Sequence, residues 1–259
     1  RLLADTISTL PLDVYRGGEK IATPPILVEP AAGQPRHDFV YSVMVSLLLR
    51  GNAFGIITAR SGATLLPSQI ELVDPDKVQI ARVDGVTTYR IAGVPFDAED
   101  VWHVRAYPVP GQVAGLSPVE YARQSIGLGI AAEKYGAQFF GSGSIPSGVL
   151  QADVNLSPEA AESIGTRWRS LHEGRHKVAV LSKGISFVPI SVKPEESQFI
   201  ETQRFGVSQI ARIFGVPAEM IGGDSGGSLT YSNTEARALD YLRYSVAPWL
   251  VRLEASLSK

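Results

Sequence analysis

Residues 115 to 140 read GLSPVEYARQSIGLGIAAEKYGAQFF, and this stretch divides the chain into two parts of different character. Ser117-Pro118-Val119-Glu120 is a capping box with proline at the first helical position, which predicts the start of a helix that runs to about Phe140. Before it, residues 1 to 116 carry short apolar segments separated by turn residues, whereas helical periodicity dominates after it. The sequence therefore predicts an α+β chain whose β-rich part comes first.

The part before Ser117 is predicted to be mostly β-structure with one helix. A strand that ends at Arg16 is followed by Gly17-Gly18, a pair typical of a two-residue hairpin turn. A helix is predicted from about Asp38 to Arg50, because apolar residues recur at helical spacing and Gly51 supplies a stop. Prolines between residues 24 and 35 predict a loop. The remaining strands are predicted at Ala53 to Arg60, Gln69 to Val73, Val78 to Val83, Thr87 to Ala92 and Val101 to Ala106.

Small side chains form one stripe along the helix that begins at Ser117. Glycine inside a helix costs about 1 kcal/mol relative to alanine, so glycines at regular positions need a reason. One interpretation is a loosely specified helical segment. The interpretation that we prefer is close approach of another helix, because the members recur at alternating spacings of three and four residues. The stripe consists of Ala122, Ser125, Gly129, Ala132 and Gly136.

Beyond this helix the chain contains a compact unit and two further helices. Residues 146 to 193 predict a β-α-β pattern, in which Ser157-Pro158 starts the helix. A helix is predicted from Glu195 to Phe214, with apolar residues along one face. After a Gly/Ser-rich loop, a second capping box at residues 232 to 235 starts the last helix, which Pro248 is expected to kink or divide. The strands of the compact unit are predicted at Val149-Leu150, Val178 to Leu181 and Ile185 to Val192.

Composition limits the possible classes of function. The chain has 259 residues, of which 44% are hydrophobic, and this is enough for a substantial core. The net charge of -2 provides no overall positive field for gripping nucleic acid. The lack of cysteine excludes a disulfide scaffold and thiolate chemistry. The sequence has no long uncharged apolar run, so we expect no membrane partner. The chain begins with Arg1 and its last residues look helical, so we expect a fragment trimmed at both ends.

The segment from Gly222 to Ser228 reads GGDSGGS, which contains the string around the nucleophilic serine of chymotrypsin-like proteases. Such a site needs a general-base histidine, an orienting aspartate and an oxyanion hole in an all-β double barrel. This segment lies instead between two predicted amphipathic helices, and none of the four histidines has the expected sequence context. We therefore interpret it as a flexible polar connector in which Ser225 is not a nucleophile.

Residues 172 to 176 read His-Glu-Gly-Arg-His, which fits the zinc-protease pattern H-E-x-x-H. The two histidines can share a metal only if one unbroken helical turn carries both. Gly174 falls between them where the apolar periodicity ends, so this glycine is better interpreted as the stop of the helix. A zinc-dependent hydrolase that uses His172, Glu173 and His176 stays open as the alternative. The competing interpretation is a cationic helix end formed by Arg167, Arg169, His172, Arg175, His176 and Lys177.

Seven short stretches, each weak alone, occur in a characteristic order along the chain: Leu10-Pro11-Leu12 with Val14-Tyr15-Arg16, Leu48 to Phe54, Asp100 to Val104, Gly115 to Pro118, Phe139 to Gly143 with Pro146 to Leu150, Ile210 to Pro217, and Tyr231-Ser232-Asn233. Together they resemble the HK97-like family of tailed-phage portal proteins. These proteins are the connector at the unique vertex of the capsid. One departure is that nothing follows Lys259, so we expect the C-terminal crown helices of the family to be missing.

The resemblance implies an elongated subunit with named parts. Residues 1 to 116 would be the wing, and the helices at 117 to 145 and 195 to 214 would be the two stem helices. Residues 146 to 194 would form the clip, which meets the packaging motor and later the neck proteins. Residues 215 to 231 would be the tunnel loop, and residues 232 to 259 a C-terminal helix that leads to the missing crown.

The resemblance also implies a function without catalysis, metal or cofactor. Twelve copies would form a ring that guides double-stranded DNA into and out of the capsid. The partners would be the terminase large subunit, neck and tail connector proteins and capsid proteins, with assembly in the host bacterial cytoplasm and a final place at the virion vertex. The small stripe would pack between neighbouring stem helices. The implied motor contacts are Arg167, Arg169, Arg175 and Lys177, and the implied DNA-facing residues are Gly222, Gly223, Asp224, Ser225, Gly226, Gly227, Ser228 and Thr230.

Overall fold

The computed structural model describes residues 1–62, 64–141, 148–172, 184–189, 193–223 and 231–258. The chain divides into two compact units. The first comprises Arg1–Gly129 and Arg204–Lys259, and the second comprises Ile130–Gln203. Both helices and strands are present, which confirms the predicted α+β class.

The first unit begins with a helix that the sequence pattern did not predict. Helix α1 (Leu2–Ser8) buries Leu3, Ala4 and Ile7 against α3 (Arg36–Arg50), and a further short helix, α2 (Pro25–Val28), interrupts the predicted proline-rich loop. The predicted end of α3 is confirmed, because Gly51 has the left-handed φ of 74° that favours glycine at a helix C-terminus.

Most of the strands in this unit lie where alternation and turn residues predict them. They are β1 (Val14–Arg16), β2 (Glu19–Ile21), β3 (Asn52–Arg60), β4 (Pro67–Val73), β5 (Val78–Val83), β6 (Val86–Ile91), β7 (Val94–Phe96) and β8 (Val101–Arg105). The exception is β7, which the sequence did not predict. Short 3₁₀ turns precede β5 at Pro75–Lys77 and β8 at Ala98–Asp100.

The strands form two antiparallel three-stranded sheets and one hairpin. In the first sheet the order is β4-β3-β8, with Phe54 opposite Val73 on one side and opposite His103 on the other. In the second sheet β5, β6 and β7 follow one another as a meander. The hairpin β1-β2 turns at Gly17-Gly18 as predicted.

The two sheets are linked by a small apolar cluster, whereas the main core of the unit lies elsewhere. The small cluster contains the buried residues Phe54, Tyr89, Ile91 and Val101. The main core joins α1, α3, β3 and β8 to the last helix of the chain, whose Trp249 and Leu253 are buried. Burial of apolar area is what stabilises such contacts. The small cluster contains far fewer buried residues than the main core, so the β5-β6-β7 meander is held less strongly than the rest of the unit.

The helix predicted to start at Ser117 and the last helix of the chain are both interrupted. The Ser117 cap is confirmed, since its Oγ accepts a hydrogen bond from the Glu120 backbone N–H at 3.2 Å. The predicted single helix is wrong, however, because it breaks at Ala122 into α4 (Pro118–Tyr121) and α5 (Arg123–Gly141). At the other end of the chain, α8 (Tyr231–Asp240) continues through a π-helical turn (Tyr241–Val246) into α9 (Ala247–Leu257).

The π-helical turn lies directly before Pro248, where the sequence predicts a kink or division. Proline lacks an N–H group, and its ring collides with the carbonyl group four residues earlier in a regular α-helix. A wider turn separates these groups and lets the helix axis continue. The turn is fixed by the Tyr241 hydroxyl, which lies 3.2 Å from Thr6 Oγ1, and by the buried side chain of Val246.

The described residues of the second unit form two antiparallel strands and segments of three helices. Strand β9 (Gly148–Ala152) pairs with β10 (Ile185–Pro189), and α6 (Pro158–His172) lies between them in the chain. The third helix, α7 (Lys193–Phe214), starts two residues earlier than predicted and leads back into the first unit. The predicted strand from Val178 to Leu181 lies outside the described residues.

Candidate functional site

Asn52 is a buried polar residue whose side chain forms four hydrogen bonds. It is 8% exposed. Its Nδ2 donates to the carbonyl oxygens of Arg50 at 3.2 Å and Gly115 at 3.0 Å. Its Oδ1 accepts from the Gly115 backbone N–H at 2.7 Å and from His103 Nε2 at 3.0 Å. One side chain thus ties the start of β3 to strand β8 and to the segment that leads into α4.

Two glycines allow the backbone segments around Asn52 to approach closely. A Cβ atom on Gly115 would lie 2.2 Å from the Ala106 carbonyl oxygen and 2.3 Å from that of Gly51. A Cβ atom on Gly51 would lie 2.2 Å from the Leu116 carbonyl oxygen. We call Asn52, His103, Gly51 and Gly115 the Asn52 junction.

His103 connects the Asn52 junction to the second sheet. Because Asn52 Oδ1 is an acceptor, Nε2 of His103 carries the proton, and Nδ1 accepts from the Tyr89 hydroxyl at 3.1 Å. The imidazole ring stacks on Phe54 with a centroid distance of 4.3 Å and meets Tyr89 edge-on at 5.7 Å. Burial, and to a smaller extent the positive charge of Arg105, lowers the pKa of His103 from 6.5 to about 4.

The junction gives a physical reason for three of the stretches that carry the family resemblance. Arg50-Gly51-Asn52, His103 and the Gly115-Leu116-Ser117-Pro118 stretch are distant in sequence and meet here. The stretch that leads into α4 is also held to the end of α3, because Ser117 Oγ donates to the Leu49 carbonyl oxygen at 2.8 Å. Local sequence places Asn52 beside a helix-stopping glycine and His103 within a predicted strand, and neither feature reveals that the two side chains meet.

The predicted tunnel loop is described only at its two ends. Gly222 has a φ of 87° after the 3₁₀ turn Ala218–Ile221, and the Gly223 backbone N–H donates to the Ala218 carbonyl oxygen at 2.7 Å. Glu219 forms an ion pair with Arg237 of α8 at 3.3 Å, which joins the two sides of the loop. Asp224, Ser225, Gly226, Gly227, Ser228 and Thr230 lie outside the described residues.

The members of the small stripe have different surroundings. A Cβ atom on Gly136 would lie 2.4 Å from the ring of Phe199 on α7, so close helix approach at this position involves the same chain. Ala122 is buried, whereas Ser125 is exposed and Ala132 is half-buried. A Cβ atom on Gly129 would meet no atom within 4 Å, so the chain itself leaves space there.

The basic end of α6 and the H-E-x-x-H pattern are covered only in part. Arg167 is exposed on α6, and Arg169 belongs to the same helix. His172 is the last residue of α6, whereas Glu173, Arg175, His176 and Lys177 lie outside the described residues. Across the part of the chain that the structure describes, no cluster of three or more His, Cys, Asp or Glu residues could hold a metal ion.

The helices provide no membrane span. Within the described ranges, none combines the length and the apolar character that crossing a bilayer requires.

Comparison with known proteins gives one consistent result. The family model described as "Phage portal protein" matches residues 1–259. The probable portal protein of Streptomyces phage phiC31 is 35% identical, with 100% of this chain and 61% of the relative covered. The portal protein of Enterobacteria phage HK97 is 25% identical, with 100% of this chain and 64% of the relative covered. The chain thus spans slightly over three fifths of the length of these two relatives.

A solved structure shows the same fold. A chain from the neck of a native gene transfer agent particle, computed with C12 symmetry, superposes with a TM-score of 0.72. The two are 23% identical, and 99% of this chain and 73% of the other are covered. The family model covers the whole of this chain, and the family is one of structural proteins. The chain therefore belongs to the phage portal protein family.

Proposed function

We propose that this chain is a subunit of a portal ring at the capsid vertex, through which double-stranded DNA is packaged and ejected. The observation that carries the proposal is the match of the portal family model over the whole chain. The C12 symmetry of the related neck particle supports a ring of twelve copies. In this role the protein is a structural component of the virion, without a catalytic site or cofactor, and it assembles in the host bacterial cytoplasm.

The charge of the chain suits a surface along which DNA must slide. A protein that neutralises several phosphates binds DNA tightly at ordinary salt concentrations, because each contact releases counterions. The net charge of this chain is -2, and the segment from Gly222 to Thr230 carries a single charge, at Asp224. We propose that this segment is the tunnel loop, held at its base by the ion pair between Glu219 and Arg237.

The complete gene product provides the test of this function. Negative-stain imaging and native mass measurement should detect closed rings of about twelve copies with a central channel. Capsids assembled without the protein should fail to package DNA, and addition of the protein during assembly should restore packaging. A protein that stays monomeric beside its own capsid proteins, or capsids that package DNA equally well without it, would overturn the proposal.

We further propose that Ser125, Gly129 and Ala132 lie against a neighbouring subunit, as part of the stem. Replacing Gly129 with leucine should leave folding intact, because a Cβ atom there meets no atom of the same chain within 4 Å. The added side chain should fill the space that the neighbouring helix needs, and we expect the ring yield to fall at least about tenfold, the equivalent of about 1.4 kcal/mol.

Gly127→Leu is the matched control for this prediction. Gly127 lies on the same helix and also has open space around the position of a Cβ atom, but it points away from the stripe. Rings are expected from Gly127→Leu at the wild-type yield, as counted in images of equal protein concentration. If Gly129→Leu forms rings at the normal yield, this face of α5 is not part of the subunit interface.

We also propose that the basic end of α6 contacts the terminase large subunit as part of the clip. Replacing Arg167, Arg169, Arg175 and Lys177 with glutamate should abolish motor docking and ATP-driven packaging, because four positive charges within eleven residues of the chain change sign. Rings should still form. A control variant in which Arg16, Lys77, Arg82 and Arg90 are changed to glutamate has the same net charge as the first variant and should package normally. Unchanged packaging by the first variant would exclude this contact.

A further inference from the structure

His103 lies at a connection between the two sheets of the first unit that combines polar and apolar contacts. Its ring belongs to the aromatic group of Phe54 and Tyr89, and both ring nitrogens are hydrogen-bonded. The second sheet is attached through the small cluster, in which partly buried apolar residues of both sheets pack against the four buried ones. A charge that appears on His103 therefore appears inside the contact that holds this sheet.

On balance, the surroundings of His103 favour the neutral ring over the charged one. On its own strand the nearest charged group is Arg105, which repels an imidazolium ion. Strand β6 presents the Tyr89 hydroxyl, whose pKa is raised by burial, and β3 presents the uncharged side chains of Asn52 and Phe54. Among the described residues, no carboxylate forms an ion pair with His103.

Protonation also changes the hydrogen bonds. The neutral ring accepts from the Tyr89 hydroxyl through Nδ1, but a protonated ring has donors on both nitrogens. The Tyr89 hydroxyl would have to reverse and find another acceptor, although Tyr89 is only 9% exposed. Opening the sheet contact exposes the imidazolium ion to water and removes both costs.

We propose that His103 is an acid-sensitive latch, whose protonation releases the β5-β6-β7 sheet from the β4-β3-β8 sheet while the main core stays folded. Local opening of this kind costs less than global unfolding, because only the small cluster is exposed. The proposal concerns the first unit alone and does not depend on the function proposed above.

The direction of the pH dependence follows from proton linkage. The closed state binds the proton with a pKa of about 4. A ring that opening exposes to water should bind it near the ordinary histidine pKa of about 6.5. The open state therefore gains protons first as the pH falls, so the closed state loses stability between pH 6.5 and 4. Between pH 7 and pH 5 the open fraction should rise about 20-fold.

Thiol labelling of this cysteine-free chain tests the latch. Ile91→Cys places a thiol in the small cluster, where Ile91 is 5% exposed, and Val43→Cys places one in the main core, where Val43 is 1% exposed. Labelling with 4,4'-dithiodipyridine is measured from pH 7 to pH 5 and divided by the rate of a free thiol peptide at each pH. The normalised rate of Ile91→Cys should rise about 20-fold, and Val43→Cys should stay protected.

The same measurement in a His103→Gln background separates the latch from general acid sensitivity. Glutamine does not titrate, so the rise at Ile91→Cys should disappear. His103→Phe serves if the glutamine variant does not fold, because phenylalanine keeps the stack on Phe54. A rise that persists in the non-titrating variant, a rise shared by Val43→Cys, or no rise at all would overturn the proposal.

Discussion

Replacing Asn52 with alanine is expected to lower the free energy of unfolding by about 3 to 5 kcal/mol. The change removes four hydrogen bonds from a side chain that is 8% exposed. It leaves the backbone N–H of Gly115 and the Nε2–H of His103 as buried donors without their acceptor. An unsatisfied buried group costs more than the net value of a hydrogen bond, so the loss should exceed that of a surface polar residue.

Urea unfolding of the purified chain measures this loss, with Asn155→Ala as the matched control. Asn155 is exposed between β9 and α6, and the same truncation there should change stability by less than about 0.5 kcal/mol. A loss below about 1 kcal/mol for Asn52→Ala would mean that water replaces the missing side chain, and the Asn52 junction would then have no special role in stability.

The local elements of the fold were largely predictable from the sequence, because their causes are local. Alternation and turn residues predict β3 to β6 and β8, and the Ser117 cap is confirmed by its hydrogen bond. Helix α1 was missed because only seven residues form it and its stability comes from packing on α3, which no local pattern reveals. The break at Ala122 was missed for a related reason, since both flanking segments favour helix.

The candidate site was less predictable, because its contacts join residues that are far apart in the chain. Asn52 and Gly115 are 63 positions apart, and Asn52 and His103 are 51 apart. A polar residue directly after a helix-stopping glycine was the available clue to a buried role for Asn52, but nothing local identifies its partners. At one member of the small stripe, Gly136, another helix of the same chain approaches closely, but the sequence could not specify Phe199 as the partner. Packing of the stripe between subunits stays a prediction.

Gly115→Ala should be strongly damaging, although it adds only one methyl group to the Asn52 junction. The new Cβ atom would lie 2.2 Å and 2.3 Å from two carbonyl oxygens, and both belong to backbone rather than to side chains that could rotate away. The segments must therefore separate, which also breaks the two hydrogen bonds between Gly115 and Asn52. We expect a loss of about 3 kcal/mol or more in the free energy of unfolding, or a chain that does not accumulate in soluble form.

Gly127→Ala is the control, because it adds the same methyl group where a Cβ atom meets nothing within 4 Å. Gly127 lies inside α5, so alanine should raise the stability by up to about 1 kcal/mol. The two variants are compared by urea unfolding of equal amounts of soluble protein. Equal stability of both variants would show that the backbone at Gly115 moves apart at little cost. The close approach of β3, β8 and the α4 segment would then not be what makes glycine necessary at this position.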